Sequence, residues 1–269
     1  MPYPLGRIVR HDPRSRAYAY TAANPLISVR WIRHAPIFDQ GNIGSCTSNA
    51  CLGALGTGPL YDALKSRPTY NEIEAVHLYS QATMLDDAPG SYPPDDTGSS
   101  GLAVAKAAQN DGWLSGYQHA FDFTAALSAL AAGPLIVGVD WYAGFDTPAK
   151  TGECVLSGSV RGGHELCVDT LDVENQRVWF TNSWGESWGT FGRAFWTFAT
   201  FEKLLAADGD ATILTPVTAP APVPNPPNPT PNPDGCFAAI LKPWTLLHHT
   251  GKDATVAKAG RTWLAAKGL

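Results

Sequence analysis

The pattern of apolar and polar positions divides the chain into a helical first half and a strand-rich second half. Helical spacing predicts helices over residues 47–64, with a break at Pro59, and over 75–85, 101–110, 123–132 and 201–207. Short runs rich in β-branched and aromatic residues predict strands over residues 135–140, 163–171, 177–182 and 192–198. Because most of the helices precede the strands, the sequence predicts the α+β fold class.

Changes in composition divide the chain into four segments. Residues 1–38 are polar and irregular, and they predict an extended arm laid over a main body of residues 39–214. Residues 215–234 repeat proline with asparagine and threonine, which predicts an extended linker. Residues 235–269 are too short to hold much core. We expect them to form a small helical tail that docks on the body or on a protein, virion or cell-wall partner.

Length, charge and cysteine content exclude several classes of protein. The 269 residues are 44% hydrophobic and 16% charged, and their net charge of −5 argues against a nucleic-acid partner. No run of about 18 apolar residues predicts a membrane span, and the first residues lack an apolar signal-peptide core. The five cysteines contain no Cys-x-x-Cys pair, which argues against a disulfide framework and a metal site. We therefore expect a cytoplasmic or virion-associated protein rather than a secreted one.

A loop with two glycines places a cysteine at the start of a predicted helix. Gly41 and Gly44 allow a tight turn, Ser45 is a good helix-capping residue, and Cys46 then falls in the first turn. The positive end of the helix dipole stabilises a thiolate there, so Cys46 is a candidate nucleophile. The same residue is equally consistent with a small buried thiol, and this loop alone does not decide between the two interpretations.

A nucleophilic thiol needs a base and a group that orients the base. Among the seven histidines, His119 lies in polar, loop-like surroundings, whereas His164 follows two glycines and begins an apolar strand. A second strand ends at Asn182, and antiparallel pairing of the two strands would bring the Asn182 amide to His164. An amide oxygen there would accept the imidazole N–H and select the tautomer of the ring.

Three motifs, in this order, resemble those of the papain-family cysteine peptidases. The run Asp-Gln-Gly-x-x-Gly-Ser-Cys that ends at Cys46 is similar to the nucleophile loop of that family. Gly163-His164 before an apolar strand is similar to its histidine strand, and Asn-Ser-Trp-Gly beginning at Asn182 is similar to its asparagine motif. The resemblance covers residues 36–205. It implies a helical subdomain that carries the nucleophile helix, packed against an antiparallel β subdomain, with the active-site cleft between them.

The resemblance also implies roles for individual residues. Cys46 would be the nucleophile, His164 its base and Asn182 the group that orients His164. Gln40 would donate a side-chain N–H to the oxyanion, and Trp184 would shield the histidine–asparagine hydrogen bond from water. Substrate contacts are expected at six positions: Gly98, Ser99, Ser100, Gly101, Gly163 and Trp184. No cofactor and no metal are expected.

The chain departs from the family pattern in three ways. Ile43 stands where plant and animal members carry a disulfide cysteine, and Thr47 replaces the tryptophan that usually follows the nucleophile. No inhibitory propeptide of family length precedes Cys46, so either the enzyme is made active or the arm of residues 1–38 has a covering role. Together these departures favour a bacterial or phage branch of the family.

Three hypotheses about function follow. The leading one is a cysteine-type peptidase that hydrolyses peptide bonds in peptides or proteins. A related alternative, suggested by the proline-rich linker and the short tail, is hydrolysis of peptidoglycan stem peptides. The third is a catalytically silent papain-like structural or binding protein. The presence of all four polar positions, Gln40, Cys46, His164 and Asn182, argues against the third.

Overall fold

The computed structural model of the chain describes residues 3–21 and 23–218, which form helices and one antiparallel sheet. The helices are α1 (Cys46–Leu55), α2 (Leu60–Ala63), α3 (Glu72–Thr83), α4 (Gly101–Asn110), α5 (Phe123–Leu130) and α6 (Phe198–Ala206). The strands are β1 (Val29–Arg30), β2 (Leu114–Ala120), β3 (Leu135–Tyr142), β4 (Val160–Asp172), β5 (Arg177–Thr181), β6 (Arg193–Thr197) and β7 (Asp210–Pro216). The prediction of the α+β class is confirmed. The predicted C-terminal tail, and all of the predicted linker beyond residue 218, lie outside the described residues.

The sheet is centred on the long strand β4. The strand order is β2-β7-β3-β4-β5-β6, every pairing is antiparallel, and β1 adds to β4 outside this order. Cys167 of β4 lies opposite Thr181 of β5. This is the pairing that the sequence predicted, and it brings the residue after β5, Asn182, to the beginning of the apolar part of β4.

The edge formed by β2 and β7 was not predicted from the sequence. Gly116 interrupts the apolar alternation of β2, and the pairing with β7 shifts register there. His119 lies in β2 and is fully buried, so the prediction of loop-like surroundings for it is wrong. Its ring contacts the Thr212 hydroxyl of β7, with 3.0 Å between Oγ1 and Nδ1. The pairing of two strands that are distant in sequence therefore buries His119, which its local composition predicted to lie in a loop.

The sheet separates two hydrophobic clusters. One lies against α5 and α6, and the other lies against α1, α3 and α4. Strand β3 contributes to both, because Val137 and Val139 point into the first cluster and Ile136 points into the second. The helices are thus packed on the antiparallel sheet, as the resemblance implied.

Helix α1 is buried along its whole length. All ten of its residues are buried, and it packs against β4, α3 and α4. Small residues such as Ala50, Gly53 and Ala54 permit this close packing. In the part of the chain that the structure describes, no helix combines the length and the apolar character needed to cross a membrane.

Candidate active site

Cys46 is the first residue of α1, as predicted, and its side chain is wholly buried. Ser45 is the N-cap residue, but its hydroxyl makes no capping bond and donates instead to Asn49 Oδ1 at 3.0 Å. Burial raises the pKa of the Cys46 thiol to about 12, and the Glu165 carboxyl acts in the same direction. The nearby backbone N–H groups of Glu165 and Gly6 oppose this rise. In this arrangement the thiol keeps its proton.

Gln40 connects the nucleophile loop to the residue that follows Asn182. Its side-chain Nε2 donates to the Ile43 carbonyl at 2.8 Å, and its Oε1 accepts from the Ser183 hydroxyl at 2.6 Å. Its backbone N–H donates to the Ser183 carbonyl at 2.9 Å. These three bonds hold the loop of Cys46 and the end of β5 in a fixed relation.

Asp96 links the nucleophile loop to Tyr79 of α3 through hydrogen bonds. Its carboxylate accepts from the Gly44 N–H at 2.9 Å and from the Tyr79 hydroxyl at 2.5 Å. The Tyr79 hydroxyl in turn accepts from the Gly98 N–H at 2.8 Å. Gly98 has φ of 72°, a conformation that favours glycine. The nucleophile loop and the start of the segment 98–101 are therefore joined through one hydrogen-bond network.

His164 lies in β4 and is oriented by Asn182. Its Nε2 is 2.7 Å from Asn182 Oδ1, and that oxygen also accepts from the Ser183 N–H at 2.8 Å. The imidazole is fully buried, stacked on Trp184 at 4.8 Å and edge-on to Trp141 at 4.9 Å between ring centroids. Its other nitrogen, Nδ1, has no hydrogen-bond partner among the described residues. Burial lowers the pKa of His164 to about 4, although the bond to Asn182 raises it and Arg161 lowers it further.

The beginning of the chain covers these groups. The ring of Tyr3 stacks on Trp184 with 4.4 Å between centroids, and the Trp184 Nε1 donates to the Pro4 carbonyl at 3.1 Å. Arg161 donates to the Tyr3 carbonyl at 2.9 Å. Gly6 lies so close to Gly44 that a Cβ on Gly6 would come within 1.9 Å of the Gly44 carbonyl oxygen. This covering segment, residues 3–10, is called the cleft strand below.

The cleft strand pairs with both sides of the cleft through its backbone. The Arg7 N–H donates to the Gly163 carbonyl at 3.1 Å, and the Ile8 N–H donates to the Ser99 carbonyl at 2.9 Å. The Ser99 N–H donates to the Gly6 carbonyl at 2.8 Å. The cleft strand therefore runs parallel to the chain at Ser99 and antiparallel to the chain at Gly163.

The six residues expected to contact substrate thus fall into two groups. Four of them contact the cleft strand: Gly98, Ser99, Gly163 and Trp184. The other two form the beginning of α4. Ser100 is its N-cap residue, accepting from the Ala103 N–H at 3.2 Å, and Gly101 is its first residue.

A buried charged cluster adjoins His164 and was not predicted from the sequence. Arg7 of the cleft strand inserts between Glu165, the residue after His164, and Asp210 of β7. Asp210 also lies 3.5 Å from the buried ring of His119. The signal that could have indicated this cluster is the acidic residue directly after His164. Its partner Asp210 belongs to a strand that the sequence pattern did not predict.

Two other candidate sites do not include Cys46 or His164. A cavity of about 490 Å³ lies between residues 8–16 and the loop 86–88 rather than over Cys46, where the cleft strand fills the space. Glu74, His77 and Asp111 place ligand atoms within 4.8 Å of one another, but His77 is exposed and the group shares no residue with the cleft.

Comparison with known proteins identifies the fold. No protein-family model matches the sequence, and no curated protein sequence does so either. Xylellain, a cysteine protease from Xylella fastidiosa, superposes with a TM-score of 0.59 at 16% identity, covering 81% of this chain and 98% of xylellain. Digestive procathepsin L 3 of the Tenebrio molitor larval midgut gives a TM-score of 0.56 at 17% identity, covering 80% and 76%. Recombinant stem bromelain precursor gives 0.53 at 17% identity, covering 80% and 77%.

At this level of identity the similarity concerns the fold. These solved structures, which superpose on about four fifths of this chain, are papain-like cysteine proteases. The chain therefore has the papain-like cysteine protease fold that its three motifs predicted.

Proposed function

We propose that this chain is a cysteine peptidase that cleaves peptide bonds through a thioester on Cys46. The observation that carries the proposal is the buried 2.7 Å hydrogen bond between His164 Nε2 and Asn182 Oδ1, because His164 lies on β4, the strand against which the helix that begins at Cys46 packs. Because Oδ1 also accepts from the Ser183 N–H, it is the amide oxygen that faces the ring, and Nε2 carries the hydrogen. Nδ1 then holds the lone pair that can take the thiol proton.

The proposed reaction has two stages. The Cys46 proton passes to His164 Nδ1, the sulfur bonds to the carbonyl carbon of the substrate, and the leaving amine takes the proton as the C–N bond breaks. Water then gives a proton to Nδ1, and its oxygen bonds to the acyl carbon. The C–S bond breaks and releases the acid and the thiolate. Asn182 holds the ring in one orientation through both stages.

Gln40 is the proposed donor to the developing oxyanion. Its amide has two N–H bonds, and the Ile43 carbonyl accepts one of them. The second can donate to an oxygen above Cys46, together with the Cys46 backbone N–H at the start of α1. The bonds from Gln40 to Ser183 fix the amide before the reaction begins, so little reorganisation is required.

Activity requires the cleft strand to leave. With the strand in place the thiol is protonated and the imidazole is neutral, because burial raises the pKa of Cys46 to about 12 and lowers that of His164 to about 4. The Gly6 backbone N–H opposes the rise in the pKa of Cys46, and the Gly6 carbonyl oxygen accepts from the Ser99 N–H at 2.8 Å instead of lying open to attack by the sulfur. The cleft strand is therefore seated as a cover and not as a substrate. Solvent that enters after its release reduces both pKa shifts.

Hydrolysis of a fluorogenic peptide mixture tests the proposal. We expect Cys46→Ala and His164→Ala to lose at least about a thousandfold in kcat/KM, since each removes one member of the reacting pair. Cys51→Ala is the matched control, because Cys51 is a second buried cysteine of α1. All three are compared with the wild type and in the Arg7→Ala background, which loosens the cleft strand. Full activity of Cys46→Ala would contradict the proposal.

The complete burial of Cys46 favours a second candidate, a silent binding protein of the same fold. Labelling with iodoacetamide, followed by mass analysis of each cysteine, separates the two. A peptidase requires Cys46 to be labelled faster than Cys51 once the cleft strand is loosened. Equal and slow labelling of both cysteines would support the silent protein.

A further inference from the structure

The side chain of Arg7 occupies a closed pocket beside the candidate active site. Only 4% of the residue is exposed. Its Nη2 donates to Asp210 Oδ1 at 2.8 Å and to the Asp208 carbonyl at 3.1 Å, and its Nη1 donates to the Val9 carbonyl at 2.8 Å. Its Nε lies 3.5 Å from Glu165 Oε2. The guanidinium is thus surrounded by oxygen acceptors on both edges.

Two glycines leave room for this side chain. A Cβ on Gly138 of β3 would lie 2.0 Å from Arg7 Nε and 2.6 Å from Glu165 Oε2. A Cβ on Gly101, at the start of α4, would lie 2.9 Å from Glu165 Oε1. Any larger residue at these two positions would fill the pocket, so its volume depends on both of them.

The pocket contains more acceptors than Arg7 uses. Both carboxyl oxygens of Glu165 are buried and have no hydrogen-bond partner among the described residues. Burial and the neighbouring Asp210 raise the pKa of Glu165 to about 8, although Arg7 lowers it. The pKa of Asp210 is lowered: burial raises it, but hydrogen bonds and charge from His119 and Arg7 outweigh that effect. Asp210 is therefore the charged partner of Arg7, and Glu165 is an unsatisfied second acceptor.

The contact of the Arg7 side chain with the pocket depends on the amino-acid sequence, whereas the neighbouring backbone contacts do not. The hydrogen bonds that Arg7, Ile8 and Gly6 make to Gly163 and Ser99 are backbone bonds, which an extended peptide of any sequence can form. A substrate peptide that lies along the same two backbone segments, at Gly163 and Ser99, also presents one side chain to this pocket. Gly163 immediately precedes His164, so that side chain lies next to the reacting groups.

We propose that this pocket selects the peptide substrate and that it takes an arginine side chain, for which Arg7 of the cleft strand is the resident substitute. The inference rests on the proposed peptidase function. A buried carboxylate without a counter-ion is costly, so the emptied pocket favours a cation over a neutral side chain. The planar fork of arginine can reach Asp210 and Glu165 together, whereas the compact ammonium of lysine cannot span both.

A binding experiment tests the pocket without any turnover. N-acetyl-arginine amide and its neutral isostere N-acetyl-citrulline amide are titrated into full-length Arg7→Ala by calorimetry. We expect the arginine probe to bind at least about tenfold more tightly than the citrulline probe, because its hydrogen bonds are to a charged carboxylate. Adding Asp210→Asn removes this preference. Equal binding of the two probes, or binding of neither, overturns the proposal.

Control variants exclude a general effect of the arm's charge. Arg10→Ala removes the same charge from an exposed position three residues along the cleft strand. It should bind the arginine probe as weakly as the wild type, because Arg7 still fills the pocket. If Arg7→Ala does not fold, Arg7→Lys replaces it: its ammonium cannot span both carboxyl groups, so the arginine probe should displace it and bind more tightly than the citrulline probe. Gly138→Ala in the Arg7→Lys chain should abolish that binding by filling the pocket.

Cleavage of a peptide library distinguishes failure of the pocket from failure of the peptidase proposal. We expect Arg7→Ala to cleave peptides with arginine at the pocket position at least about tenfold better in kcat/KM than peptides with leucine there. Binding of the arginine probe without any cleavage would support the arginine pocket and refute the proposed peptidase function. Cleavage without a preference for arginine would support the peptidase function and refute the proposed selection of arginine by the pocket.

Discussion

At the scale of single residues, the two nitrogens of His164 face different surroundings. Nε2 is bonded to Asn182, whereas Nδ1 is buried without a partner among the described residues. The strand pairing that brings Asn182 to His164 could be predicted from sequence, because the apolar alternation of both strands is regular. Cys51 and Cys167 are both buried on the side of the sheet that α1, α3 and α4 cover.

Loss of the orienting amide should slow the reaction more than it weakens binding. In Asn182→Ala the His164 ring loses its acceptor, and we expect kcat to fall by about ten- to a hundredfold with KM nearly unchanged. Steady-state hydrolysis of a fluorogenic peptide measures both constants. Asn175→Ala, in the exposed turn between β4 and β5, is the matched control and should keep the wild-type kcat. A change confined to KM would contradict the orienting role.

Burial of neutral His164 should make the fold sensitive to acid. Its pKa is lowered from 6.5 to about 4, so between these values the unfolded chain binds a proton that the folded chain does not. The stability contributed by this difference is full above pH 6.5 and is lost as the pH falls towards 4. Between pH 7 and pH 5 the free energy of unfolding should fall by about 2 kcal/mol more in the wild type than in His164→Gln. Urea unfolding at both pH values measures this, and an identical loss in the two proteins would contradict it.

At the scale of elements, the cleft strand is held mainly by backbone contacts. One of these contacts is between Gly6 and the nucleophile loop at Gly44, where no space is left for a Cβ on Gly6. The sequence predicted an arm laid over the body and left open whether it covers the site. Its course could not be predicted, because neither local spacing nor alternation indicates which distant backbone groups a proline- and glycine-containing segment will pair with.

A methyl group at Gly6 should displace the cleft strand. In Gly6→Ala the new Cβ would lie 1.9 Å from the Gly44 carbonyl oxygen, a contact that the backbone cannot accommodate without moving. We expect iodoacetamide to label Cys46 about tenfold faster than in the wild type, since overpacking of this kind costs about 1–3 kcal/mol. Gly116→Ala in β2 is the control, because a Cβ there meets nothing within 4 Å. Equal labelling rates in both variants would contradict a close-fitting cover.

The edge strand β2 and its neighbour β7 were not predictable from the apolar pattern. The two strands lie far apart in sequence. Their pairing brings Thr212 to His119, and β7 also brings Asp210 to the pocket of Arg7. Neither strand has an uninterrupted apolar alternation, so the residues that define the charged pocket could not be assigned from sequence. The catalytic candidates were predictable because they lie in local motifs.

At the scale of the whole body, the candidate site lies where the two hydrophobic clusters meet across the sheet. The nucleophile begins a helix of one cluster, whereas the rings around His164, Trp141 and Trp184, belong to the other. Adjacent residues of β4 face opposite sides of the sheet, since Leu166 packs in one cluster and Cys167 in the other. The relative position of the thiol and the imidazole therefore depends on the packing of the entire sheet with its helices.

The stack of Tyr3 on Trp184 gives the covered state an optical signature. The Trp184 indole is nearly fully buried, donates its N–H to the Pro4 carbonyl and contacts Trp141 and Trp188. Departure of the cleft strand removes both the ring and the acceptor and leaves that indole facing water. Intrinsic fluorescence should then shift to longer wavelength, so opening of the cleft can be followed in real time in the unlabelled protein.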